Sequence, residues 1–197
     1  MPENVLTEQG FDLLFRQART AYAWLDKPVP DDLLRQIHDI MRFGPTSANS
    51  CPLRIVFVRS PEAKARLKPF LMEDNIEKTM LAPATAIMAY DMQFYDLLPE
   101  LFPHTDARSW FAGNDKVIAD TAFRNSSLQA AYFMIVARGF GLGCGPMSGF
   151  DEEGVNKEFF PDGRYRVNFL CNLGYADHSN DFPRSPRLSF DQACRII

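Results

Sequence analysis

The sequence predicts an α+β fold, and three features of the chain carry that reading. Apolar runs of strand length are few, segments with helical spacing are many, and the two kinds do not alternate in strict order. Strict alternation would have indicated a doubly wound parallel sheet. A chain of 197 residues has the size of a single domain, residues 1–197, and is long enough to bury a proper core. Its 46% hydrophobic content and 17 phenylalanines belong to a globular protein and not to a disordered one.

Residues 8–25 place Phe11, Leu14, Phe15, Ala18 and Tyr22 near helical spacing, and Pro28 and Pro30 end that segment. Asp31 or Asp32 can cap a second helix whose Leu33, Leu34, Ile37, Ile40 and Met41 share a face, ending near Gly44. The polar loop from Gly44 to Pro52 leads into a β-branched run at 55–58, typical of a strand. Short helices are expected from 61 to about 71 and around 75–81, followed by a buried strand at 84–90 that is nearly all apolar. Residues 92–115 carry Pro99, Pro103 and Gly113 among aromatic side chains and predict irregular structure. Residues 116–138 contain neither proline nor glycine and become apolar almost all round, the pattern of a helix in the middle of a core. A short helix at 151–160 and a buried strand at 167–174 precede a polar tail with a short apolar end.

Between the long helix and its successor lies Gly139-Phe-Gly-Leu-Gly-Cys-Gly-Pro-Met-Ser-Gly-Phe150, with five glycines in eleven residues. Two readings stand: helix-end punctuation, or backbone laid close against something flat or charged. The run contains no G-x-G-x-x-G window and follows a helix instead of a strand, which excludes the dinucleotide fingerprint.

Composition narrows the function classes. A net charge of −4 with scattered basic residues argues against nucleic acid as the main partner. No run is long and apolar enough for a bilayer, and the acidic opening residues lack a signal-peptide pattern, so a cytoplasmic protein is expected. Cys51, Cys144, Cys171 and Cys194 form no C-x-x-C pair, and His38, His104 and His178 are far apart, so neither a disulfide framework nor a metal site is expected.

With no readable triad or carboxylate pair, cofactor chemistry is the best enzymatic hypothesis, because a flavin brings its own reactive atoms. A flavin mononucleotide needs cations for its phosphate, polar groups at the ring edge and close backbone beside the ring. Arg19 beside Thr20, with Arg184 or Arg187 from the terminal region, could supply the cations, since arginine's planar fork suits a phosphate. Ser47 and Asn49, or Asn75 and Lys78 on one helical face, could meet the ring edge. The turn Pro146, Met147, Ser148, Gly149 could present backbone N–H groups where negative charge gathers on reduction. Each residue alone also reads as an ordinary solvated side chain or turn.

Taken in order, these elements resemble the nitroreductase family of flavin-dependent oxidoreductases over nearly the whole chain. The matching elements are Arg19-Thr20, Pro45-Thr-Ser-Ala-Asn49 with Pro52, Asn75-Ile-Glu-Lys78, Gly141-Leu-Gly143, Pro146-Met-Ser-Gly-Phe-Asp151, Leu173-Gly-Tyr175 and Arg187-Leu188. The resemblance implies a single FMN-binding domain with a small central sheet flanked by helices. It also implies an intertwined homodimer, with much of its core from the long helix and each flavin contacted by both chains. Arg19, Thr20, Lys78 and Arg187 would then serve the phosphate or ring edge and Asn75 the ring. Ser47 and Asn49 would reach the partner's flavin, and Ser148 and Gly149 would meet the ring through backbone. The chain departs from the family at Tyr22, where a second basic residue is frequent, and in its Arg184-Ser-Pro-Arg187 spacing, so both terminal arginines stand as phosphate candidates.

Leu101-Phe-Pro-His-Thr-Asp-Ala-Arg-Ser-Trp-Phe111 and Thr121-Ala-Phe-Arg-Asn-Ser-Ser127 look like the malonic semialdehyde reductase branch associated with pyrimidine breakdown. That branch implies reduction of 3-oxopropanoate to 3-hydroxypropanoate with NADPH or NADH as donor. A desolvated substrate carboxylate needs a cationic partner, for which Arg108 is the candidate; a structural ion pair with Asp106 or another carboxylate is the alternative. Three other readings compete: a broad quinone or nitroaromatic reductase, a non-catalytic dimeric ligand-binding protein, and an enzyme using Cys144 as nucleophile.

Overall fold

The computed structural model describes residues 5–179 and 181–197. The first four residues of the acidic opening read above lie outside them. The chain builds one antiparallel four-stranded sheet in the order β1-β2-β4-β3, from β1 (Leu53–Val58), β2 (Ala84–Asp91), β3 (Gly143–Met147) and β4 (Tyr165–Gly174). Around it lie α1 (Glu8–Phe11), α2 (Asp31–Met41), α3 (Pro61–Leu67), α4 (Glu73–Leu81), α5 (Leu98–Leu101), α6 (Asp115–Gly139), α7 (Glu152–Phe159) and α8 (Phe190–Ala193). The predicted α+β architecture, a small central sheet flanked by helices, is the observed one.

Both faces of the sheet are covered, which explains why its central strands read as continuous apolar runs instead of alternating ones. Successive residues of β2 point to opposite faces. Ala84, Ala86 and Met88 join Ile37, Met41, Phe133 and Ala137 of α2 and α6, whereas Ile87 and Ala89 join Leu67 of α3 and Val155 of α7. The segment between β2 and α6, expected to be irregular, contains short helical turns around a small core of its own, with Phe94, Leu98, Phe111 and Ile118 buried.

α6 begins at Asn114, whose side chain accepts from Val117 N at 3.2 Å and so caps one of the free N–H groups of the first turn. Ile118, Ala122, Asn125, Gln129, Phe133 and Ala137 form its buried stripe at spacings of three and four, while Val117, Phe123 and Leu128 are exposed. α7 is capped the same way, with Asp151 accepting from Gly154 N at 3.1 Å.

Three local expectations are corrected. The helix predicted over 8–25 stops early: α1 passes into a π-helical turn at Asp12–Arg16, and the chain beyond is extended. There Thr20 bridges Cys144 in parallel and Trp24 bridges Ala176 antiparallel, so sheet pairing outweighs the helical spacing of Ala18 and Tyr22. α2 is entered from Pro30 with no side-chain cap, instead of from Asp31 or Asp32. The glycine run is neither a helix end alone nor a turn, because Gly143–Met147 is strand β3, paired with β4 from Gly143↔Gly174 to Met147↔Leu170.

Candidate functional site

β3 has β4 on one side, and two segments of the chain lie along its other edge. Near its start, Ala21 N donates to the Cys144 carbonyl at 3.0 Å; beyond its end, Met72 N donates to the Gly149 carbonyl at 3.1 Å and Leu71 bridges Phe150. The glycines make this approach possible. A Cβ on Gly145 would meet the Ala21 carbonyl oxygen at 2.7 Å, and one on Gly143 would meet the Cβ of Ala176 at 2.7 Å and that of Ala21 at 2.9 Å.

The first segment delivers Arg19 and Thr20, and the second delivers α4 with Asn75 and Lys78. Asn75, 8% exposed, donates from Nδ2 to the Gly149 carbonyl at 2.7 Å. Lys78 Nζ stands 5.2 Å from the centre of the Tyr22 ring, and the Trp24 indole donates to the Lys78 carbonyl at 2.9 Å. The structure thus brings Arg19, Thr20, Asn75, Lys78 and the stretch Pro146, Met147, Ser148, Gly149 to one edge of the sheet.

A buried polar chain seats α4 there. Asn172 Oδ1 accepts from Thr85 at 2.7 Å, Asn172 Nδ2 donates to Thr79 Oγ1 at 3.0 Å, and Thr79 lies 3.6 Å from Met147 Sδ. All three polar residues are fully buried, where an unpaired hydroxyl or amide would cost about 1–3 kcal/mol, so the network specifies the seat of α4.

Arg184 and Arg187 join Arg19 and Thr20 in lining a cavity of ≈ 890 Å³. Arg19 donates to the Phe182 carbonyl, Arg184 to the carbonyls of Arg16 and Ala18 at 2.7 Å each, and Arg187 to those of Ser185 and Pro186. Carbonyls satisfy the donors without neutralising the charge. Among the described residues none of these three arginines has a carboxylate partner. Asp181, which also lines the cavity, is engaged by His178 at 2.9 Å. Arginines in excess over carboxylates at one cavity attract an anion, and their forked donors suit a phosphate. The donor set present therefore fits the phosphate of a flavin mononucleotide.

Ser47 and Asn49 are held elsewhere. Their loop has three non-glycine residues in the left-handed region, Ala48 at φ +50°, Asn49 at +48° and Cys51 at +41°, a conformation that persists only where its surroundings enforce it. Ser47 N donates to Asn125 Oδ1 at 2.8 Å, Leu53 N to Gln129 Oε1 at 2.9 Å, and Asn49 Nδ2 to the Leu101 carbonyl at 2.8 Å. Arg54 donates to the carbonyls of Cys51 and Leu53 and also to Asp91, a wholly buried carboxylate that Arg164 grips with two hydrogen bonds. None of these bonds reaches the group of Arg19, Asn75 and Gly149.

Arg108 lies in a short turn, with Nε 3.0 Å from Asp96 Oδ1 and its guanidinium 5.6 Å from the centre of the Tyr95 ring. Asp96, not Asp106, is thus its counter-ion. Cys144 is fully buried beside Cys171, whose thiol is pushed well above its usual range by the hydrogen bond between the two and by burial. A nucleophile there would be out of reach of substrate.

Several residues that shape the site escaped sequence reasoning. Asn125 and Gln129 could have been found, as polar residues four apart in an apolar helical stretch. Asp91, Arg54 and Arg164 carry no local signal, because their meeting depends on strand pairing. Arg138, which also lines the arginine cavity, reads in sequence only as a basic residue near a helix end.

Fold and site together define an α+β protein with an arginine-lined cavity beside a glycine-rich edge strand. The family model described as "Nitroreductase family" matches residues 15–175, and the chain belongs to that family. It is 56% identical over 194 residues to a protein of Polynucleobacter asymbioticus named "Putative NADH dehydrogenase/NAD(P)H nitroreductase", covering 98% of this chain and 99% of the relative. A similarly named protein of Burkholderia lata is 59% identical over 193 residues, with 98% and 99% coverage. Among solved structures, a "putative nitroreductase in complex with FMN" from Exiguobacterium sibiricum superposes with a TM-score of 0.85 at 19% identity, covering 98% of this chain and 99% of that one. A nitroreductase family protein from Streptococcus pneumoniae superposes at 0.82 with 23% identity, covering 95% and 100%.

Proposed function

We propose that the protein reduces 3-oxopropanoate to 3-hydroxypropanoate with NADPH or NADH, through FMN held along the β3 edge of a homodimer. Its class is that of its family: an FMN-dependent NAD(P)H oxidoreductase. Bound FMN supplies hydride transfer between nicotinamide and acceptor. The observation that carries the cofactor reading is the set of arginines around one cavity that have no ion-paired carboxylate among the described residues. Arg19, Thr20, Arg184 and Arg187 would hold the phosphate, Asn75 and Lys78 the polar edge of the ring, and the backbone of Pro146, Met147, Ser148 and Gly149 its face or reducible edge.

A homodimer is supported by large apolar side chains left at the surface. Phe11, Leu13 and Phe15 of the N-terminal helical segment, Phe123 and Leu128 of α6, and Leu188, Phe190, Ile196 and Ile197 of the terminal segment are all exposed. Among the described residues, strand β1 also ends the sheet with no strand on its outer edge. Ser47 and Asn49, bonded away from the Arg19 group, would then serve the partner's cofactor. The four cysteines are free, as in a reducing compartment such as the cytoplasm.

Arg108 would receive the substrate carboxylate by exchanging it for Asp96. That existing pair also favours a second reading, a broad NAD(P)H-dependent nitro or quinone reductase in which Arg108 is structural. An anaerobic absorption spectrum before and after NADPH, followed by kcat/KM for 3-oxopropanoate and for a quinone, separates these readings. Flavin bands that bleach and a preference for the aldehyde are expected. With Arg108→Ala, the aldehyde KM should rise about tenfold or more with flavin content unchanged. Unaltered aldehyde kinetics would leave the second reading, and a colourless protein that ignores added FMN would overturn both.

A further inference from the structure

We propose that Arg138, in the last turn of α6, is a further ligand of the cofactor phosphate; the inference rests on the FMN reading above. Arg138 lines the same cavity as Arg19, Thr20, Arg184 and Arg187, but comes from a different element, the core helix. It is tied at one end only, where Nη1 donates to the Leu14 carbonyl at 3.1 Å. Its Nε is buried and has no hydrogen-bond partner. A guanidinium has five donors and is always charged; with Nη1 bonded to a carbonyl and Nε closed off from the surface, the donors an anion in the cavity could meet are those of the two terminal nitrogens.

Charge points the same way. Arg16, at the same cavity, is paired with Glu8 and Asp12, and Asp181, the carboxylate that lines it, is in contact with His178. Among the described residues Arg138 has no ion pair with a carboxylate, as is also true of Arg19, Arg184 and Arg187. Four arginines without an ion-paired carboxylate, set against the single carboxylate of Asp181 at the same cavity, suit a phosphate monoester, whose charge and multiple acceptor oxygens exceed what one carboxylate offers. A structural role is the competing account, since a cation in the last turn favours the helix dipole and the Leu14 bond tethers the N-terminal segment.

Riboflavin, which lacks the phosphate, separates the two. Purified wild type, Arg138→Met and Arg138→Lys would be stripped of flavin and titrated with FMN and with riboflavin, following flavin fluorescence. Arg138→Met should weaken FMN binding by about tenfold or more and leave riboflavin binding within about twofold, and Arg138→Lys should recover part of the loss. Equal weakening of both flavins, or of neither, would overturn the proposal, and so would a wild type that binds the two equally. A wild type that binds neither flavin would instead bring down the cofactor reading itself.

Discussion

The Asn75 side-chain amide donates to the Gly149 carbonyl at 2.7 Å, and a Cβ added to Gly149 would lie 2.5 Å from that same amide nitrogen. Helix α4 and the residue just past β3 are therefore fitted to one another without space for a methyl group. Met72 Sδ, 3.2 Å from the same point, closes the other side.

Gly149→Ala should push the Asn75 amide off its acceptor. The expected result is a stability loss of about 1–3 kcal/mol in urea unfolding, as for other overpacked sites, together with weaker FMN binding. Wild-type behaviour in both measurements would show that Asn75 moves aside freely and is not a fixed part of the site.

Asp91 lies under two arginines, with no side-chain exposure, while Arg54 and Arg164 keep 25% and 36% of theirs. Asp91→Asn leaves both guanidinium groups facing a neutral amide. Breaking a wholly buried pair costs about 3–5 kcal/mol; partial solvation of the arginines reduces that here to about 2–3 kcal/mol. Since Arg54 also holds the carbonyls of Cys51 and Leu53, the variant should loosen the loop carrying Ser47 and Asn49. Hydrogen exchange of residues 46–53 in the folded protein reads that directly, and unchanged protection there would refute the link.

Thiol chemistry tests the burial of the cysteine pair. Cys194 is exposed and Cys51 partly so, whereas Cys144 and Cys171 are fully buried in the core between the sheet, α2 and α6. Labelling of the native protein should spare Cys144 and Cys171 until denaturant is added. Loss of activity that tracks modification of Cys144 in the native state would revive a cysteine nucleophile and count against cofactor chemistry.

How far the chain could be read depended on where each element's information lay. The strands at 84–90 and 167–174 were legible because burial on both faces leaves a dense apolar record, and the helix at 116–138 because it is long, mostly apolar and free of proline and glycine, although it buries only one stripe. Arg19, Thr20, Asn75, Lys78 and the stretch from Pro146 to Gly149 were legible as an ordered set matching a family, not as a geometry. β3 was hidden, since Gly143, Gly145 and Pro146 are poor strand formers and only the approach of Ala21 and Ala176 explains the two glycines. The over-long first helix has the same origin: Thr20 and Trp24 take their conformation from Cys144 and Ala176, more than a hundred positions away.

By itself, then, the sequence determined the α+β class, most of the helices, three of the four strands and the identity of the residues available to hold a phosphate and a ring. Local periodicity and the chemistry of side chains are properties of short segments and need no fold to be read. Only the tertiary structure decided that the glycine run is an edge strand, that Arg108 meets Asp96, and that Arg138 shares a cavity with Arg19, Arg184 and Arg187. Each of these turns on distant segments being brought together, and charge and steric fit act over ångströms in space, not along the chain.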